Sequence, residues 1–143
     1  MSEKNILTGT LLGVSAASKE EVFEAVARWL IEHGAADDFE SVMQAFRQRE
    51  EIGGTLNYPG VALPHAVGAA IKKDALILLQ TDKEIPWQKE GDAHTFICMC
   101  ISENPVRENL AYIQAIVRRT VNAKWEAVLL ENNHTELASF LEI

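Results

Sequence analysis

A chain of 143 residues, 48% hydrophobic and 24% charged, suits one soluble domain with a sizeable core. Its net charge of −8 leaves no basic stripe of the kind nucleic acid binding draws on, and no apolar run is long enough to span a bilayer. The opening MSEKNILTG lacks the apolar core and cleavage site of a secretory signal, so the expected location is the cytoplasm.

The first element is an apolar, glycine-punctuated strand within Thr8 to Ala16. Ser18 with Glu21 three residues on is the capping-box pattern that opens a helix. Val22, Phe23, Val26, Ala27, Leu30 and Ile31 fall on one face of it, and Gly34 closes it. A second helix follows Asp38, buries Phe39, Val42, Met43 and Phe46, and runs to about Glu50, where Gly53 and Gly54 stop it. TLNYPGVALPHA mixes turn and short strand: Pro59–Gly60 is turn chemistry, and Val61, Ala62 and Leu63 suit a short buried strand. Ala75 to Thr81 and Thr95 to Ser102 read as fully buried strands, joined by a polar loop holding Pro86 and Gly91.

Asn104–Pro105 is an N-cap followed by proline, and the helix it begins turns Leu110, Ile113, Val117 and Val121 inward. Two shorter helices follow, near Ala123 to Glu131 and Thr135 to Leu141, broken at ENNH. No repeat, low-complexity tract or linker interrupts residues 1–143. Apolar strands interleaved with helices predict a single α/β domain, its mixed and mostly buried sheet flanked by helices on both faces.

Cys98 and Cys100 form a C-x-C that places both thiols on one face of a strand. With no other cysteine in the chain they read as small core residues, and no metal site is expected. Arg118–Arg119, the one basic cluster, reads as the solvated face of a helix.

The stretch GVALPHA, Gly60 to Ala66, places a histidine at the end of a short strand. Chemistry in open α/β sheets gathers beyond strand ends. Pro64 stiffens the backbone that presents His65, and Ala66 and Gly68 leave the ring approachable. Arg49, sixteen residues upstream, would favour the neutral, nucleophilic imidazole and could hold a phosphoryl anion. On these features alone, a structural role for a histidine after proline stands ahead of a functional one.

Arg49–Glu50, Gly54–Thr55 and GVALPHA together resemble the signature of the enzyme IIA domains of the fructose/mannitol family, part of the bacterial phosphoenolpyruvate-dependent phosphotransferase system. SKEEVFEAVARWLIEHGAADD and ENLAYIQAIVRR resemble that family's first helix and the helix after its last long strand, so the resemblance covers nearly the whole chain. It implies a phosphocarrier. His65 would accept a phosphoryl group from the carrier protein HPr and pass it to an enzyme IIB, without cofactor or metal. Arg49 would neutralise phosphoryl charge, and Thr55 would offer a hydrogen bond. Tyr58, Val61 and Val67 are candidates for an apolar partner-facing rim.

Family members commonly carry a second histidine at the start of the helix after the last strand; here that position is Asn109. A neutral amide there suits slow transfer, which keeps open a regulatory module resembling the nitrogen-related branch, with phosphorylation of His65 controlling a protein partner. A small-molecule-binding domain with a structural His65 is the third reading. Of the other histidines, His33 suits a helix C-terminus, His134 lies in the break between the last helices, and His94, at a loop edge, is the one candidate to approach the site. Trp29, Trp87 and Trp125 read as core or half-buried residues, with Trp87, in a loop, the one open to partner contact.

Overall fold

Two long strands, β5 (Ala75–Gln88) and β6 (Gly91–Ile101), form an antiparallel hairpin at the centre of the protein. In the computed structural model, which describes residues 5–131 and 134–142, the other strands assemble around this pair. β1 (Leu7–Val14) runs parallel to β5. β3 (Gly60–Ala62) and β4 (His65–Val67) run parallel to β6, and β2 (Leu56–Tyr58) pairs antiparallel with β3 on the outside. The order is β1-β5-β6-β3-β2, with β4 beside β6, so the predicted mixed sheet is present.

Why the central strands look apolar throughout follows from the cores on both faces. Alternate side chains point to opposite sides of a strand. Ile77 and Leu79 of β5, with Phe96, Cys98 and Cys100 of β6, meet the first core. Leu76, Leu78, Ile97 and Met99 meet the second. The first core is covered by α1 (Lys19–Glu32) and α2 (Phe39–Ile52), the second by α3 (Arg107–Arg119), α4 (Ala123–Leu130) and α5 (His134–Leu137). Both cysteines are free and fully buried, and burial pushes their thiols up. Among the described residues, no helix is long and apolar enough to cross a membrane.

Ser18 caps α1 as expected, accepting from the Glu21 N–H at 3.2 Å. The buried face of α1 differs by one position. Ile31 is exposed and Trp29 is buried, because the indole packs against Gly9 of β1, where a Cβ would come within 2.7 Å of the ring. Gly60 has φ +101°, which lets β2 and β3 turn sharply at Pro59.

Three further expectations are corrected. The polar loop is strand: Asp82, Lys83 and Glu84 are exposed while Ile85 and Trp87 are buried, and β5 runs on to Gln88 with an irregularity of register after Gln80. Trp87 is a core residue, as its simplest reading has it, rather than a loop contact, and it meets Phe23 edge-on and Phe96 at a tilt. In α3 the buried face is Asn109, Ile113 and Ile116, so Leu110 is only half-buried and Val121, beyond the helix, is exposed. That helix starts at Arg107 with Val106 as its cap, and no side chain caps it. In the predicted ENNH break, Asn132 and Asn133 lie outside the described residues, as does Met1 to Lys4 of the opening segment; His134 begins α5.

Candidate active site

His65 does not end a strand; it restarts one. β3 and β4 lie along β6 in a single register, Ala62 opposite Phe96 and His65 opposite Met99. Between them the ladder pauses for two residues. Pro64 has no N–H to donate, although its carbonyl accepts from the Met99 N–H at 2.8 Å. The Leu63 N–H turns away to the Thr55 carbonyl, also at 2.8 Å. These two bonds fix the backbone that leads into His65.

Strand alternation then decides what the ring sees. Ala66 is fully buried in the core under α1 and α2. His65 points to the opposite face, where it lines a cavity of about 390 Å³ with Leu63, Met99, Ile113, Gln114, Val117 and Arg118. The residue is half-buried. Its Nδ1 is sealed from solvent and has no hydrogen-bond partner among the described residues. Burial lowers the pKa of the ring, and the positive charge of Arg49 lowers it further. The Leu63 backbone and the Glu50 carboxylate act the other way, but the net direction is down.

Arg49 sits in the last turn of α2, where its Nη1 donates to the Gly53 carbonyl at 2.8 Å. That bond uses one of five N–H groups and draws the side chain back over the turn. The adjacent Glu50 is nearly buried and is held by Lys19 Nζ at 2.9 Å and by the Thr55 hydroxyl at 2.5 Å. The Thr55 oxygen accepts in turn from Trp87 Nε1 at 3.0 Å. Its one proton is thus committed to Glu50. Gly54 allows this packing, since a Cβ there would collide with the Gln88 side chain, whose Oε1 accepts from the Leu56 N–H. Arg49, Glu50 and Thr55 form one braced turn, and its guanidinium is close enough to act on His65.

Asn109 lies at the start of α3 with its amide turned inward. Nδ2 donates to Asp74 Oδ2 at 2.8 Å, and Asp74 Oδ1 accepts from the Ser102 N–H at the same distance. Asn109 is not among the residues lining the cavity at His65.

The remaining candidates sort by position. Val61 is fully buried and the Tyr58 hydroxyl donates to the Thr120 carbonyl at 2.7 Å, so neither forms a rim; Val67 is 55% exposed. The apolar wall beside the ring is instead Leu63, Met99, Ile113 and Val117. Two of these were legible as the inward side of a helix, but not as the lining of a site. His94 lies in β6, five residues from Met99 and packed near Gly60, and does not approach His65. His33 stacks on Trp29, its Nδ1 2.8 Å from the Trp29 carbonyl.

Solved structures share this architecture. The nitrogen regulatory protein IIA-Ntr from Neisseria meningitidis superposes with a TM-score of 0.77 at 20% identity, over 92% of each chain. Mannitol enzyme IIA of Escherichia coli, in its complex with phosphorylated mannitol enzyme IIB, superposes with a TM-score of 0.71 at 20% identity, again over 92% of each. The fold is therefore that of an enzyme IIA domain. Residues 7–142 match the family model of the phosphoenolpyruvate-dependent sugar phosphotransferase system, EIIA 2, and the chain belongs to that family. The mannitol-specific phosphotransferase enzyme IIA component of Staphylococcus aureus (strain N315) is 30% identical over 93 residues. That match spans 63% of this chain and 63% of the staphylococcal protein.

Proposed function

We propose that the protein is a cytoplasmic phosphocarrier that takes a phosphoryl group from HPr onto His65 and hands it to an enzyme IIB. One observation carries the reading. A ring held near neutrality by burial and by Arg49 opens onto an apolar cavity at a break in the sheet. The sealed Nδ1 leaves Nε2 as the nitrogen that meets a donor.

The step is a simple exchange. Nε2 of neutral His65 attacks phosphorus as the donor P–N bond breaks. The donor ring leaves as neutral imidazole with its own N–H, and His65 keeps its proton on Nδ1. The transition state is loose, with charge on three equatorial oxygens, so the protein contributes positioning and positive charge. Arg49 supplies that charge. Glu50 and Thr55 act through it by holding the turn it leaves from. The apolar wall gives a partner protein a surface to exclude water from the reacting groups.

The regulatory reading, in which phosphorylation of His65 controls a protein partner, draws on Asn109. Its amide is neutral and already bound to Asp74, so it adds no charge to speed transfer. Incubation with phosphoenolpyruvate, enzyme I and HPr tests the first reading: acid-labile phosphate appears on wild type and not on His65→Ala. Equal labelling of both proteins removes it. Rapid onward transfer to an enzyme IIB removes the regulatory alternative.

A further inference from the structure

We propose that Arg118 is a second phosphoryl-binding cation, closing on the oxygens of a phosphoryl group carried by His65; this rests on the phosphocarrier reading. Arg118 lines the same cavity as His65, and among the described residues that line it no other carries a permanent charge. It is exposed, and it makes no hydrogen bond or ion pair among the described residues. The adjacent Arg119 differs in both respects. Its Nη1 donates to the Phe140 carbonyl at 2.6 Å, and its guanidinium lies 5.1 Å from the Trp125 ring. Arg119 is bound into the fold, whereas Arg118 is left with all five donors.

The surroundings favour this use of Arg118. The cavity wall is apolar at Leu63, Met99, Ile113 and Val117, so a guanidinium and a phosphoryl group there attract more strongly once a partner covers the opening. The planar fork of arginine matches two phosphoryl oxygens. Gln114, one turn earlier on α3, lines the cavity too and offers a neutral donor. Asn109 cannot supply the charge, because it is a neutral amide that faces the Asp74 carboxylate. Arg49 then serves one side of the phosphoryl group from the end of α2, and Arg118 serves the other from the end of α3.

A small donor separates phosphoryl binding from partner docking. With phosphoramidate, Nε2 attacks phosphorus, the P–N bond breaks, ammonia leaves with the electron pair, and Nδ1 keeps its proton. Arg118→Gln is expected to slow labelling by phosphoramidate and by phosphorylated HPr alike, each roughly tenfold, with Arg118→Lys recovering part of the loss. In the phosphorylated Gln variant, the 31P resonance is expected to titrate at higher pH than in wild type, since less positive charge holds the dianion. Circular dichroism checks that the variant is folded. Slowing with HPr alone makes Arg118 a partner contact and overturns the proposal, as does an unchanged 31P titration. Failure of wild type to label His65 with either donor overturns the phosphocarrier reading itself, and this inference with it.

Discussion

His65 and His94 share a feature that by itself suggests function: each has a buried Nδ1 without a hydrogen-bond partner among the described residues. Their surroundings are opposite. His65 is half-buried, opens onto an apolar cavity, and has a guanidinium as its influential neighbour. His94 is 8% exposed, packs near Gly60, and has the Glu84 carboxylate 3.8 Å from Nδ1. The hollow beside it is lined by Asp82, Lys83, Glu84 and Leu130. At the first ring Arg49 offers an approaching phosphoryl anion a cation, with Glu50 beside it tied up by Lys19 and Thr55; at the second, two carboxylates outnumber the one cation, Lys83. An orphaned ring nitrogen therefore does not by itself mark a candidate for phosphoryl transfer. The sign of the nearby charge and the access of the ring do.

The largest effect expected tests that contrast directly. His65→Ala abolishes labelling by phosphorylated HPr, while His94→Ala keeps the rate within about twofold of wild type, the usual range for a side chain outside the reacting groups. Labelling that survives the first change and vanishes with the second would exchange the roles of the two rings. Next comes Arg49→Gln. A charged donor to the phosphoryl group is worth about 1.5–3 kcal/mol, so the labelling rate should fall by roughly ten- to a hundredfold, measured in single-turnover quench experiments. An unchanged rate would mean that charge is not what separates His65 from His94.

How much of this could be read from the residues depends on the range of the interaction. The capping box at Ser18 and the C-x-C of Cys98 and Cys100 are local patterns, and both appear as read. The pairing of Arg49 with His65 came from a spaced signature rather than from periodicity, and the structure puts the two within electrostatic reach. Long-range pairing was hidden. His65 looked like a strand end because its partner Met99 is far along the chain, and only that pairing makes Leu63–Pro64 a pause instead of a terminus. The Asp82–Gln88 arm was hidden because its irregular register breaks the period of two. On α3 and at its C-cap, Asn109 and Thr120 occupy buried positions that apolar counting passes over, which puts Leu110 and Val121 inward in their place.

A smaller effect concerns the wall of the cavity. Asp74 ties the start of α3 to the end of β6 through Asn109 and Ser102. Burial raises the Asp74 pKa, but these hydrogen bonds outweigh it and the carboxyl titrates below its ordinary value of 3.8. Its contribution is thus present above about pH 4 and lost as pH falls through the lowered value. Asp74→Asn should reduce stability by about 1–2 kcal/mol at neutral pH and flatten the acid limb of the melting curve. Calorimetry across that range reads both. An acid limb as steep as in wild type would show that Asp74 does not hold α3 through its charge.

The smallest effect is a displacement of a titration. The His65 ring should protonate below the ordinary histidine value of 6.5, with burial as the larger cause and Arg49 as the second. Arg49→Gln should therefore raise the midpoint only part of the way back, because burial remains. The sign carries over to stability. The neutral ring's contribution is complete above about pH 6.5 and is lost as pH falls through the lowered pKa, since the unfolded chain then binds more protons than the folded one. NMR of the ring carbons resolves the midpoints in both proteins. If the wild-type midpoint stood at or above 6.5, the ring would be largely charged near neutral pH, and the electrostatic half of the contrast with His94 would fail even if access to the ring still distinguished the two.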